Sequence, residues 1–150
     1  MTDSNILQLE TSKGPVTIKM RPDLAPGHVA HIKKLVAEKF YDGIVFHRVI
    51  DGFMAQTGCP QGTGTGGSKY ANIKAEFSRE PHVRGTCSMA RSQSPDSANS
   101  QFFICFGPAR FLDNQYTVWG EVTAGMENID KIKRGEPVRD PDTIVTSRMV

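Results

Sequence analysis

Two short runs near the start of this chain alternate strictly between apolar and polar residues. Leu7 and Leu9 alternate with Gln8 and Glu10, and Val16, Ile18 and Met20 alternate with Thr17 and Lys19. A period of two puts successive side chains on opposite faces of an extended strand. Between the runs lies Ser12-Lys-Gly-Pro15, where Gly14 can take a positive φ. The first 20 residues therefore predict an antiparallel hairpin. The chain carries 14 glycines and 9 prolines, a supply of turns that favours a β-rich fold over a helix bundle.

One long helix is predicted over residues 26–39. Pro26 suits its first turn, where a missing N–H costs nothing. Val29, Ile32, Leu35 and Val36 share a face, and Lys33, Lys34 and Lys39 gather toward the end, where the macrodipole favours cations. Asp42-Gly43 stops it. Strands are predicted at 44–50, 53–57, 86–90, 101–106, 116–122 and 143–149, and a short second helix at 126–133. The loops 58–75 and 91–100 are long enough to be functional or ligand-shaping. Strands with helices at two points suggest a closed antiparallel barrel capped by helices.

At 150 residues the chain predicts one domain, spanning 1–150. A net charge of +2 with mixed signs gives no stripe of the kind a nucleic-acid binder shows. The densest basic stretches, Lys33-Lys34 and Lys131 to Arg134, read as solvated helix faces. The 3 cysteines, Cys59, Cys87 and Cys105, are odd in number and contain no C-x-x-C, so neither a disulfide framework nor a zinc site is expected. The start, MTDSNILQLE, lacks the basic and apolar regions of a secretory signal, and no apolar run reaches membrane-spanning length. A soluble cytoplasmic monomer is the expectation, with no membrane or nucleic-acid partner.

Three weaker signals point elsewhere. Gly62-Thr-Gly-Thr-Gly-Gly67 matches G-x-G-x-x-G, but Ser68-Lys-Tyr-Ala-Asn72 after it carries no helix signal, so it reads as a flexible surface loop rather than a dinucleotide site. His28 and His31 could share a helix face, but no third ligand is apparent, and they read as solvated histidines. Ser88 lacks the G-x-S-x-G elbow, so a hydrolase triad has no local support.

The segment Phe46-His-Arg-Val-Ile-Asp-Gly-Phe-Met-Ala-Gln56 differs from these. It sets Arg48 inside an apolar strand, close to Phe53, Met54 and Gln56. Alone it could be an arginine paired with a surface carboxylate. A second cluster, Ser100-Gln-Phe-Phe-Ile104, puts Gln101 and Phe103 on one strand face and Phe102 and Ile104 on the other. One face can then be core while the other presents an amide beside an aromatic ring. FHRVIDGFMAQ, SMARSQSPDSANSQFFI, FLDNQYTVWGEV and GMENIDKI, in that order, resemble the cyclophilins over nearly the whole chain. That family folds as an eight-stranded antiparallel β-barrel with a helix over each end, and its members are peptidyl-prolyl cis/trans isomerases.

The resemblance implies a mainly β fold and a groove. Arg48 would be the catalytic arginine, with Phe53, Gln56 and Phe103 beside it. Met54 and Leu112 would complete the apolar pocket for proline. Ala90, Arg91 and Gln101 would line the neighbouring channel, with Phe111 and Tyr116 at the rim. His47 would be a buried, hydrogen-bonded structural residue. No cofactor is implied, and the partners would be proline-containing peptides and folded or unfolded client proteins. Phe111 stands where many eukaryotic members have Trp, Tyr116 where they have His, and Arg91 where they have Asn. The loop Arg91–Asn99 is one residue longer, and Thr57 replaces Gly or Ala. Such departures resemble bacterial members. Without the indole N–H, cyclosporin-type inhibitors would bind less tightly. A non-catalytic proline-binding module and a general chaperone are the rival functions, and Arg48 discriminates them: only the isomerase needs it.

Overall fold

The computed structural model describes residues 5–150. The hairpin forms as its alternation predicts. Strands β1 (Ile6–Thr11) and β2 (Gly14–Met20) pair antiparallel, and Leu7, Leu9, Val16, Ile18 and Met20 all point into the core. Gly14 has a φ of 127°, and the Thr11 hydroxyl donates to its carbonyl at 2.7 Å.

Six further strands complete one sheet: β3 (Arg48–Ile50), β4 (Met54–Thr57), β5 (Thr86–Met89), β6 (Phe102–Cys105), β7 (Val118–Ala124) and β8 (Ile144–Met149). The order across the sheet is β3-β4-β6-β5-β7-β2-β1-β8, antiparallel at each pairing. The sheet is a curled half-barrel rather than the closed barrel the sequence suggests. β3 and β8 remain its edges, linked through the segments that precede them by the single bridge Val45↔Thr143. The reason lies in 44–47, read from sequence as strand. The Gly43 and Phe46 N–H groups donate to the Ile144 and Asp142 carbonyls and the Ile144 N–H to the Ile44 carbonyl, so this stretch forms one short antiparallel bridge with the segment entering β8 and no longer ladder.

Helix α1 (Pro26–Ala37) begins at Pro26 as expected and buries Val29, Ile32, Leu35 and Val36. It ends two residues before the predicted boundary. Lys39 takes a φ of 61°, the Lys39 N–H bonds the Val36 carbonyl, and the Phe40 N–H bonds the Leu35 carbonyl. This is a Schellman ending with lysine at the position glycine usually fills, so Lys39 lies beyond the helix. Helix α2 (Met126–Ile129) is a single turn, after which looser turns carry Ile132 into the core. A 3₁₀ turn at Arg110–Leu112 has no clear sequence signal. The basic stretches are not simply solvated. Lys34 Nζ sits 3.7 Å from the Tyr70 ring centre, Lys33 donates to Asn5, and Arg134 pairs with Asp51 and lies over Phe106.

The two faces of β6 belong to different layers. Phe102 and Ile104 join the main core with Trp119, Tyr41 and Phe46, while Phe103 and Cys105 join Met54, Ala109 and Leu112 in a second cluster. Each Phe, Ile, Leu or Met among them contributes about 1.5–3 kcal/mol when fully buried. The three cysteines are all free and buried. Gly58 ends β4 against β6: its φ is 97°, and a Cβ there would lie 2.3 Å from the Ser100 carbonyl oxygen. That close approach sets the spacing of the two strands on which the candidate site is built.

Candidate active site: an arginine-lined groove

β3 and β4 pair Arg48 with Gln56, and β4 and β6 pair Gln56 with Phe103. Three consecutive strands thus bring the two sequence clusters to one face. Arg48, Phe53, Met54, Gln56, Ala90, Arg91, Phe103, Leu112 and Tyr116 line a cavity of about 140 Å³. Its floor is apolar: Met54, Phe103 and Leu112 are buried, and Phe53, Ala90 and Tyr116 pack against them. Phe111 does not line it. It is 72% exposed, with its ring centre 5.5 Å from that of Phe53, and extends the apolar surface beyond the rim.

The polar side of the cavity is a connected chain. Arg48 Nη1 donates to Gln56 Oε1 at 3.3 Å, and Gln56 Nε2 donates to Gln101 Oε1 at 2.9 Å. Gln101 Nε2 in turn donates to the Gly64 and Gly66 carbonyls at 3.0 and 2.9 Å. Gln101 is therefore engaged at both ends of its amide and anchors the glycine loop. With Gln56, Ala90 and Arg91 it lines a larger neighbouring cavity of about 470 Å³, walled by the 64–68 loop and by Asn99.

The glycine loop folds around Cys59 rather than opening a helix. The Gly64 and Gly66 N–H groups both point at its Sγ at 3.3 Å. Burial alone would push this thiol up, but the surrounding backbone N–H groups outweigh it and bring its pKa to about 7. Arg91 donates to the Gln115, Ser92 and Gln93 carbonyls and lies 4.5 Å from the Tyr116 ring centre, so it braces the rim.

The sequence reading missed several features. Arg48 Nε donates to Glu136 Oε2 at 2.7 Å, across 88 positions, so the arginine does have a carboxylate partner as well as a place in the groove. His82, Asp113 and Ser88 form a buried relay behind Phe103: His82 Nδ1 is 3.1 Å from Asp113 and Nε2 is 2.9 Å from Ser88 Oγ. Burial pushes the imidazole pKa down against the pull of Asp113, so the ring is neutral near pH 7, with Nδ1–H donating to Asp113. Ser88 and His82 have no exposed surface, so this arrangement supports the pocket wall and offers no nucleophile to solvent.

His28 and His31 are buried, not solvated. Glu76 accepts from the Gly27 and His28 N–H groups and sits 2.6 Å from His28 Nδ1, capping α1 from a distant loop. His47 is buried, but its Nδ1 has no hydrogen-bond partner among the described residues, unlike the hydrogen-bonded role expected of it. Among the described residues no group of three or more His, Cys, Asp or Glu could hold a metal, and no helix is long and apolar enough to cross a membrane.

Comparison with known proteins places this groove in context. The probable peptidyl-prolyl cis-trans isomerase of Brucella suis is 54% identical over 157 aligned positions, covering 94% of this chain and 80% of that protein. Peptidyl-prolyl cis-trans isomerase B of Bacillus subtilis is 44% identical, covering 83% of this chain and 87% of its own. A cyclophilin from Hirschia baltica superposes with a TM-score of 0.91 at 30% identity, over 100% of this chain and 75% of its own. A cyclophilin-type isomerase from Cryptosporidium parvum, crystallised in the presence of the dipeptide Ala-Pro, gives 0.90 at 25% identity, over 97% of this chain and 98% of its own. The family model described as "Cyclophilin type peptidyl-prolyl cis-trans isomerase/CLD" matches residues 6–149. The chain belongs to the cyclophilin-type peptidyl-prolyl cis-trans isomerases.

Proposed function

We propose that this single domain accelerates rotation about X–Pro bonds in peptides and client proteins by donating a hydrogen bond from Arg48 to the proline nitrogen. Peptide rotation is slow because resonance stiffens the C–N bond, with a barrier of about 18–20 kcal/mol. In the twisted transition state conjugation is lost and the lone pair localises on the proline nitrogen, which becomes an acceptor. No bond is made or broken, so the reaction needs no nucleophile, proton carrier or cofactor.

The observation that carries this reading is the shared cavity of Arg48 with Phe53, Met54, Phe103 and Leu112. A proline ring seated on that floor fixes one side of the rotating bond and excludes water. Gln56 steadies the guanidinium, and Gln101 steadies Gln56. An interaction available only in the twisted state raises the turnover rate rather than ground-state binding. A hundred-thousand-fold acceleration corresponds to about 7 kcal/mol. One charge-assisted hydrogen bond supplies about 1.5–3 kcal/mol of it. Desolvation and orientation supply the rest.

The Ala-Pro dipeptide used with the Cryptosporidium parvum protein supports a proline-containing substrate. The same activity would assist folding of cytoplasmic clients, with the protein acting as a monomer. The test is exchange NMR on a short X–Pro peptide, with wild type and Arg48→Ala side by side. The expected result is fast exchange in wild type and a loss of about ten-fold or more in the folded variant. Equal rates in the two proteins would overturn the mechanism. Peptide binding without acceleration by wild type would mark a proline-recognition module.

A further inference from the structure

Residues 133–138 run beside the edge strand β3. The Val49 N–H donates to the Gly135 carbonyl at 2.8 Å, the Gly135 N–H returns a bond to the Val49 carbonyl at 2.8 Å, and the Val138 N–H reaches the His47 carbonyl at 3.0 Å. The Val49↔Gly135 bridge is antiparallel, so the next positions along, Arg48 and Glu136, face each other across the edge. Gly135 itself is required there: its φ is 155°, and a Cβ would lie 2.8 Å from the Pro137 carbonyl oxygen. Backbone pairing therefore sets where the Glu136 carboxylate stands.

The guanidinium is planar and presents its donors as a rigid fork. Gln56 holds one corner, Nη1, through a long bond of 3.3 Å, about which the plane could pivot. Glu136 holds a second corner, Nε, at 2.7 Å. These two hydrogen-bonded corners, together with the covalent Cδ–Nε bond that lies in the same plane, fix its orientation. The Nη2 donors are engaged by no described residue, while Arg48 lines the cavity and Glu136 does not.

We propose that Glu136 is a positioning residue for the isomerase: its carboxylate fixes the plane of the Arg48 guanidinium so that the free donors meet the proline nitrogen of the twisted substrate. This inference rests on the Arg48 mechanism above. Glu136 lies outside the lining of the apolar cavity, so the cavity keeps its affinity without it. What is lost is alignment of the donor, which counts only in the transition state. The two side chains are 40% and 57% exposed. Solvent screening then limits the effect on turnover to about two- to five-fold.

The experiment compares wild type, Glu136→Gln, Glu136→Asp and Arg48→Ala on an Ala-Pro peptide. Exchange NMR gives kcat and KM, a ¹H–¹⁵N spectrum follows the Arg48 Nε–H resonance, and an unfolding midpoint verifies the fold. The proposal expects Glu136→Gln to lower kcat about two- to five-fold with KM unchanged. The Nε–H signal should broaden or shift toward that of free arginine, and Glu136→Asp should recover part of both. An unchanged kcat in Glu136→Gln, a change confined to KM, or a rise in kcat would overturn it, the last by showing that the carboxylate competes with substrate for the guanidinium. Full activity in Arg48→Ala would instead overturn the Arg48 mechanism itself, so the two failures are separable.

Discussion

The His82 imidazole stacks on the Phe103 ring, with ring centres 6.2 Å apart and planes 20° from parallel. Phe103 lines the cavity and also meets a fully buried, hydrogen-bonded histidine. The pocket floor is thus backed by a polar relay. Asp113 accepts from both the His82 backbone N–H and its ring, and Ser88 closes the relay at Nε2.

Removing the Ser88 hydroxyl tests that support. Ser88→Ala leaves His82 Nε2 buried without a partner, whereas the Thr117 carbonyl, which competes with Nε2 for the single Ser88 hydroxyl proton, keeps the Met89 N–H. An orphaned buried polar atom costs about 1–3 kcal/mol. The expected outcome is a lower urea midpoint with an unchanged m-value. A variant as stable as wild type would show that the relay carries no stabilisation.

Acid should destabilise the protein in two stages. All 4 histidines are buried, and burial lowers the pKa of each against any stabilising partner. A lowered histidine pKa means that the unfolded chain takes up protons first, below about pH 6.5. Stability is full above that value and falls as pH drops through the lower folded values. In the second stage the carboxylates titrate. The pKa of Asp113 is held at about 2, chiefly by Arg110 and then, against burial, by His82. Burial raises the Glu76 pKa, but His28 and two backbone N–H groups outweigh it, so it too is lowered. Both contributions are present above about pH 4 and are lost as pH falls further. Urea midpoints from pH 8 to pH 3 measure this, and a constant midpoint between pH 8 and pH 5 would contradict the first stage.

The exposed ring of Phe111 makes a separate prediction. It adjoins Phe53 at the rim and offers no hydrogen-bond donor. Phe111→Trp supplies an indole N–H there at little cost, since the position is open to solvent. One neutral hydrogen bond corresponds to about a two- to ten-fold gain in affinity. Calorimetric titration with a cyclosporin-type ligand should show that gain, while peptide isomerisation stays near wild type. No gain in affinity would mean that the ligand does not reach this position.

Much of the groove can be read along the chain. The alternation in Ser100 to Ile104 separates Phe103 from Phe102, and the strands carrying Arg48, Gln56 and Phe103 lie side by side as the clustered motifs suggest. The polar partners are less legible. Gln101 looks like an amide free for substrate, yet it is held by Gln56 and two glycine carbonyls from a loop 35 and 37 positions away. His28 looks solvated on a helix, yet Glu76 covers it from 48 positions on.

The sequence alone determined the hairpin, the start of α1 at Pro26, and which face of β1 and β2 is apolar, because these follow from side-chain period and backbone preference over a few residues. The tertiary structure alone decided that the sheet keeps two edges and that lysine could end α1. It also set which carboxylate meets Arg48. Glu136 lies 88 positions away, and nothing in its neighbours marks it as a partner. Its place is set by backbone hydrogen bonds between Val49 and Gly135, an interaction that exists only once the chain has closed on itself.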